Sequence, residues 1–138
     1  MTVYLDASVC VSLFVSDVHT TRVRAWFLTA PEVVVSRWTM AEYSSALARL
    51  RRAAIITGAE HQAAELAFDQ WMTILGPPIS LTDMDMILAR DLCREDGSIR
   101  TPDALHICVA SRLDLRLASL DKDQLQVASR HGLSVIDL

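Results

Sequence analysis

The sequence of 138 residues predicts an α/β fold with a central parallel sheet covered by helices on both faces. Short apolar segments alternate with longer amphipathic ones, which is typical of strands joined by crossover helices. Most residues of the short segments are apolar, as expected where both faces of a sheet are buried. The length is that of one domain, and no repeat or linker is present, so we predict a single domain spanning residues 1–138.

The elements follow one another in a regular order from the first strand to the last. We predict strands at residues 2–5, 33–35, 79–81, 115–120 and 133–136. We predict helices at 7–15 and 19–29, from caps at 39 and 57 to about 54 and 75, from 82 or 83 to about 95, and at 102–112 and 122–130.

Local signals indicate where several of these helices begin. Thr39 and Glu42 match the capping box, in which a Thr hydroxyl accepts from a backbone amide and a Glu reaches back to the cap. Thr57 begins a second copy of the same pattern. Thr101, followed by a proline, supplies an N-cap and a residue suited to the first helical turn.

Composition and charge exclude several classes of protein. A net charge of −4 argues against binding nucleic acid through overall basicity. No apolar run approaches the roughly 20 residues of a membrane span. The apolar stretch at 9–15 is not preceded by the basic residues with which a signal peptide begins, so we expect a cytoplasmic protein. The three scattered cysteines form neither a disulfide framework nor a zinc motif. The apolar share of 51% suggests a protein partner or a dimer.

Four acidic residues occupy positions where the predicted topology could bring them together. Asp6 and Asp121 directly follow predicted strands, and ligands bind beyond the carboxyl ends of parallel strands. Asp103 and Glu42 are predicted in the first turns of helices. If these helices pack beside the strands, all four carboxylates meet at one edge of the sheet.

Such a cluster needs a cation. Each ionised pair ~6 Å apart repels by about 3 kcal/mol at an effective dielectric constant of about 20, and six pairs approach ~15 kcal/mol, comparable to the stability of a domain. Carboxylate oxygens favour a hard divalent ion such as Mg²⁺, whereas zinc would want histidine or cysteine ligands. Such an ion can activate a water and neutralise a phosphodiester, so phosphodiester hydrolysis is the favoured reaction.

Four sequence blocks in order resemble the PIN-domain ribonucleases, and within them the VapC-type toxins of toxin–antitoxin pairs. The blocks are VYLDAS at 3–8, AEYSSAL at 41–47, TPDALH at 101–106 and LASLD at 117–121. The resemblance implies a PIN-like α/β/α sandwich, acids that bind Mg²⁺ or Mn²⁺, and endonucleolytic cleavage of RNA. It also implies a cognate antitoxin and a homodimer.

The resemblance implies a role for each acid. Asp6 and Asp103 are similar to the principal metal ligands of the family. Glu42 and Asp121 are similar to the residues that complete the metal shell through water or a second ion, and the number of ions stays open.

Other polar residues around the acids are candidates for supporting roles. Ser8 and Ser119 occupy hydroxyl positions that flank the site in the family, where the second is more often threonine. Arginine suits bidentate phosphate contacts, and four arginines lie near the acidic blocks. The candidates for RNA-phosphate contact are Arg37, Arg49, Arg52 and Arg100.

Structural interpretations compete with the functional ones. A capping box explains Glu42, and a helix terminus explains Asp103 and Asp121. Asp6 differs, because an acid between an apolar strand and an apolar helix needs partners if it is buried. Asp123 is an alternative to Asp121.

Two further alternatives concern His106, three residues after Asp103, and the function itself. His106 lies on the same helical face as Asp103, where it would either orient that carboxylate or fill the core. A DNA nuclease, an RNA-processing nuclease of the same fold and a catalytically silent binding module remain alternative functions. A phosphoacceptor receiver domain is disfavoured, because no lysine ends a late strand.

Overall fold

The computed structural model describes all residues, Met1–Leu138, and contains four strands and seven helices. The strands are β1 (Val3–Leu5), β2 (Val33–Val34), β3 (Arg116–Ser119) and β4 (Val135–Asp137). The helices are α1 (Ala7–Phe14), α2 (Thr20–Phe27), α3 (Arg37–Arg52), α4 (Gly58–Leu75), α5 (Asp83–Glu95), α6 (Thr101–Arg112) and α7 (Lys122–Arg130).

The strands form one parallel sheet in the order β2-β1-β3-β4. Val3 of β1 pairs with Val33 on one side and Arg116 on the other, and all three strand pairs are parallel. The predicted α/β fold with a central parallel sheet is therefore confirmed. Because β1 and β3 are neighbours, the residues that follow them meet at the same edge.

Side chains along β1 alternate between two cores, one on each face of the sheet. Val3 and Leu5 pack with residues of α1, α3 and α4. Tyr4 faces the other way and packs with residues of α5, α6 and α7. This division confirms a three-layer α/β/α sandwich in which helices cover both faces of the sheet.

The start of α3 differs from the sequence prediction. Ser36, not Thr39, is the N-cap, and the Ser36 hydroxyl accepts from the Thr39 amide while Thr39 reaches back to the cap. Both Ser36 and Thr39 fit an N-cap by residue type. Thr39 is buried and its hydroxyl also donates to the Leu5 carbonyl at 3.1 Å, which ties the first turn of α3 to β1. The predicted capping role of Glu42 is therefore wrong.

Smaller corrections concern other termini. The predicted strand at 79–81 is reduced to a single parallel bridge between Ile79 and Ser36. Thr101 is the first residue of α6 rather than its cap, which is Arg100. The predicted cap at Thr57 is confirmed, and of the two candidates before α5 it is Thr82 that caps the helix.

No helix combines the length and apolar character needed to cross a bilayer. The cysteines are free, as expected, and two of the three are buried.

Candidate metal centre

An open cleft of about 460 Å³ lies beyond the carboxyl ends of β1 and β3. The structure brings all four predicted acids into its lining: Asp6, Glu42, Asp103 and Asp121. They come from the end of β1, from α3, from α6 and from the end of β3, and only the folded sheet places them together.

Asp6 is the most buried of the four, at 5% exposure. It caps α1, and its Oδ1 atom accepts from the Val9 amide at 3.2 Å and from the Ser8 hydroxyl at 2.6 Å. Its Oδ2 atom accepts from the Ser119 hydroxyl at 2.6 Å. Burial raises the pKa of Asp6, and the attraction of His106 and these hydrogen bonds offset only part of that effect.

The two serines join the ends of β1 and β3. Besides donating to Asp6, the Ser8 hydroxyl accepts from the Leu120 amide at 3.0 Å. The Ser119 hydroxyl accepts from the Asp121 amide at 2.9 Å. Each hydroxyl thus donates to one carboxylate and accepts from the backbone near another, so both serines support the geometry of the acidic cleft.

Asp121 caps α7, and its Oδ1 atom accepts from the amides of Asp123 at 3.0 Å and Gln124 at 3.2 Å. The capping interpretation is therefore correct, but it leaves Asp121 in the cleft wall. Asp123 is exposed and lies outside the cleft lining. The structure therefore favours Asp121 over Asp123 as the acid of this block.

Asp103 lies in the first turn of α6, as predicted. Burial and repulsion from Asp121 and Glu42 raise its pKa to about 6, although His106 attracts the ionised form. A carboxyl that resists ionisation because it is half-buried and other carboxylates lie near it is expected in an acidic cluster without a cation.

Glu42 lies in the second turn of α3, where no backbone amide needs a cap. Its Oε2 atom contacts Nε2 of His106 at 2.5 Å. Of the two roles considered for His106, the structure shows burial and does not show contact with Asp103, because His106 contacts Glu42 instead. Since capping no longer explains Glu42, its position in the cleft stands as its main structural feature.

The arginine candidates separate into two groups. Arg49, two turns along α3 from Glu42, lines the cleft. The other three are exposed and lie outside the lining: Arg37, Arg52 and Arg100.

The cleft also contains polar residues that the sequence did not single out. Asp17 accepts from the Ser12 hydroxyl at 2.7 Å and the His19 amide at 2.8 Å, and all three line the cleft. Burial would raise the pKa of Asp17, but its hydrogen bonds hold that pKa below the usual value. Asp17 and Thr20 are three residues apart, the spacing of a helix N-cap and its N3 residue. This spacing was the one sequence feature that could have singled out Asp17.

The donor set fits a hard divalent cation. The four predicted acids supply oxygen ligands, and none of them forms an ion pair with a lysine or arginine. No three Asp, Glu, His or Cys side chains stand close enough to enclose an ion by themselves. Mg²⁺ commonly takes only part of its shell from protein and the rest from water and substrate phosphates, which suits this open arrangement.

Comparison with known proteins agrees with the fold. The family model of the PIN domain matches residues 3–130. No curated protein matches the chain.

Several solved structures share the fold at low sequence identity. FitAcB from Neisseria gonorrhoeae has a TM-score of 0.75 at 19% identity, covering 98% of this chain and 96% of its own. VapC20 of Mycobacterium tuberculosis, described as a sarcin-ricin loop cleaving toxin, has a TM-score of 0.74 at 18% identity, covering 99% and 98%. VapBC2 from Rickettsia felis, bound to a fragment of its promoter DNA, has a TM-score of 0.70 at 14% identity, covering 100% and 99%.

Proposed function

Since this chain belongs to the PIN domain family, we propose that it is a Mg²⁺-dependent endoribonuclease that acts as the toxin of a type II toxin–antitoxin pair. One observation carries the proposal: the four predicted carboxylates line one cleft, and no lysine or arginine pairs with any of them. Mn²⁺ is the expected substitute ion, because it favours the same oxygen ligands.

We assign different roles to the residues of the cleft. Asp6 and Asp103 are proposed to hold the ion, with Glu42 and Asp121 completing its surroundings through water or a second ion. When bound, the ion supplies activation of a water and neutralisation of phosphodiester charge. Ser8 and Ser119 hold the carboxylate of Asp6 in place through their hydrogen bonds.

The solved relatives support RNA as substrate and an antitoxin as partner. One is described as a toxin that cleaves the sarcin-ricin loop, and others are FitAB and VapBC assemblies. We extend both features to this chain as proposals. We also propose that the protein acts in the cytoplasm and consists of a single domain spanning residues 1–138.

The apolar surface of α5 supports the proposed protein contacts. Met84, Ile87 and Leu88 are exposed at spacings that place them on one side of this helix. We propose that the protein forms a homodimer and binds its antitoxin through exposed apolar surfaces such as this side of α5. Light scattering of the purified chain measures the first, and a mass of one protomer at all concentrations would contradict it.

RNA cleavage is the direct test of the proposed function. The purified chain should cleave RNA in Mg²⁺, whereas Asp6→Asn or EDTA should reduce the rate by at least about 100-fold. Asp123→Asn is the matched control, because this neighbouring acid lies outside the cleft, and its rate should stay within about twofold. Equal cleavage by wild type, Asp6→Asn and the EDTA sample would contradict the proposal.

The same assay separates the alternatives. Cleavage of DNA but not RNA would indicate a DNA nuclease of the same fold. A silent binding module would neither cleave RNA nor show calorimetric Mn²⁺ binding that is lost in Asp103→Asn.

Arg49 is the proposed phosphate contact within the cleft. Arg49→Gln should weaken RNA binding and reduce the dependence of log Kd on log salt by about one unit per lost contact. Arg52→Gln removes an exposed arginine of the same helix outside the cleft and should leave that slope unchanged. Fluorescence anisotropy at several salt concentrations, with the Asp6→Asn background preventing cleavage, measures both.

A further inference from the structure

We propose that His106 is a positioning residue, which holds the Glu42 carboxylate at the cleft wall through a buried hydrogen-bond network that begins at Tyr4. The proposal rests on the proposed function, because Glu42 is assigned there to the metal centre. The network consists of Tyr4, Ser36, Thr39 and His106.

The contact between His106 and Glu42 fixes one oxygen of the carboxylate. His106 is 1% exposed, and its Nε2 atom lies 2.5 Å from Oε2 of Glu42. An ionised carboxylate only accepts, so Nε2 carries the hydrogen of this bond. The Oε1 atom of Glu42 makes no hydrogen bond within the chain, and it is therefore the oxygen available to an ion or a water in the cleft.

The other ring nitrogen of His106, Nδ1, is hydrogen-bonded on the side away from the cleft. This atom lies 2.7 Å from the Tyr4 hydroxyl, which lies 2.7 Å from the Ser36 hydroxyl. The Thr39 hydroxyl lies 3.1 Å from both the Tyr4 hydroxyl and the Leu5 carbonyl, and its single hydrogen is shared between them. The orientation of the imidazole ring is thus set by β1, by the start of α3 and by α6 together.

The network reaches the cleft at one residue, Glu42. Tyr4, Ser36 and Thr39 are 0% exposed, and His106 is nearly so. The side chain of Glu42 is 26% exposed and is the only group bonded to the network that lines the cleft. Apolar residues of similar shape could fill this volume without buried polar groups. What the polar network adds is a fixed direction for the Glu42 carboxylate, as partners around a metal site do for its ligands.

Calorimetric titration of the full chain with Mn²⁺, without RNA, tests the proposal. His106→Leu should weaken Mn²⁺ binding about 10-fold or more, the size of effect seen for partners that orient metal ligands. His106→Gln keeps an N–H donor and should stay within about threefold of wild type. In a Glu42→Ala background His106→Leu should change the Kd less than twofold, because the residue acts only through Glu42.

His61→Leu is the matched control, since this imidazole also contacts a glutamate but lies outside the cleft on α4. It should leave Mn²⁺ binding unchanged. If His106→Leu does not fold, Tyr4→Phe, which removes the hydroxyl and keeps the ring, should still weaken Mn²⁺ binding two- to fivefold with Glu42 present and not without it.

Two results would overturn the proposal: unchanged Mn²⁺ binding in folded His106→Leu, or equal losses with and without Glu42. Wild type that binds Mn²⁺ in a His106-dependent manner but never cleaves RNA would support the positioning role and refute the nuclease. Wild type that binds no Mn²⁺ would refute both.

Discussion

Two buried aspartates in this molecule have opposite electrostatic surroundings. Asp85 of α5 is 0% exposed, and Arg112 contacts it through two hydrogen bonds of 2.8 and 2.9 Å. Asp6 is 5% exposed, and only hydroxyls and an amide contact it. Burial alone would raise both pKa values, yet the bonds from Arg112 and Thr82 hold the pKa of Asp85 below its usual value, whereas that of Asp6 is raised.

The difference shows which charge is balanced within the chain. The Asp85 carboxylate has its cation permanently, since α5 and α6 carry the two halves of one ion pair. The Asp6 carboxylate shares its cleft with four more acids, Asp17, Glu42, Asp103 and Asp121, and no lysine or arginine pairs with Asp6. The first arrangement stabilises the fold, and the second leaves a demand for positive charge that an ion from solution can meet.

Removal of the internal cation should have the largest effect on stability. Arg112→Leu leaves a buried, uncompensated carboxylate at Asp85 and should lower the free energy of unfolding by about 3 kcal/mol. Urea titration followed by circular dichroism measures this loss. The Mn²⁺-dependent increase in stability should persist in the variant, because the cleft is untouched.

Arg94→Leu is the control for that experiment. Arg94 pairs with Asp91 at 3.9 Å on the exposed side of α5, and such surface pairs contribute about 0–1 kcal/mol. A loss as large as that of Arg112→Leu would show that burial of the partner does not decide the cost.

Supplying the external cation should have the next largest effect. At a concentration 100 times its Kd, Mn²⁺ should stabilise the wild-type chain by about 2.7 kcal/mol, provided that it binds only the folded state. The gain should largely disappear in Asp103→Asn. Thermal melts with and without Mn²⁺ measure it, and an equal gain in Asp103→Asn would place the binding outside this cleft.

The smallest effect concerns the repulsion within the metal-free cleft. The pKa of Asp103 is raised from 3.8 to about 6, so between these values the folded state binds more protons than the unfolded one, and stability falls as pH rises. Asp103→Asn should therefore stabilise the metal-free chain at pH 7.5, by about 1 kcal/mol after allowance for solvent screening of this half-buried group.

The pH dependence provides the check on that prediction. The advantage of Asp103→Asn over wild type should fall to about half or less at pH 4.5, where the wild-type carboxyl is already protonated in the folded state. Asp123→Asn should show neither effect, because this side chain is exposed. A metal-free Asp103→Asn that is less stable at pH 7.5 would mean that the carboxylate stabilises the fold.

The acids at the sheet edge were predictable because the local sequence pattern indicates where each strand ends. Asp6 and Asp121 each follow an apolar run, and parallel pairing of β1 with β3 brings them together. The residue at which α3 begins, and with it the place of Glu42 in the helix, was not predictable. Ser36 and Thr39 are both good caps by residue type. Tertiary contacts decide between them, among them the bonds of Thr39 to the Leu5 carbonyl and of Ser36 to Tyr4.

The partner of His106 was equally hidden from the sequence. Spacing along one helix suggested Asp103, whereas the observed partner, Glu42, lies 64 residues away on α3. Asp17 was missed for a related reason: it lies between α1 and α2, and its path into the cleft depends on the packing of these helices. Local patterns identify the acids at strand ends, whereas packing between helices brings Asp17 into the cleft and His106 against Glu42.

The capping roles of Asp6 and Asp121 affect how an inactive form of the protein should be made. Both carboxylates accept backbone amides at the starts of α1 and α7, so an alanine at either position removes a helix cap together with the charge. Asparagine caps helices about as well as aspartate. An asparagine variant is thus the form in which loss of chemistry can be separated from loss of folding, and it is the suitable form for capturing the RNA or the antitoxin proposed above.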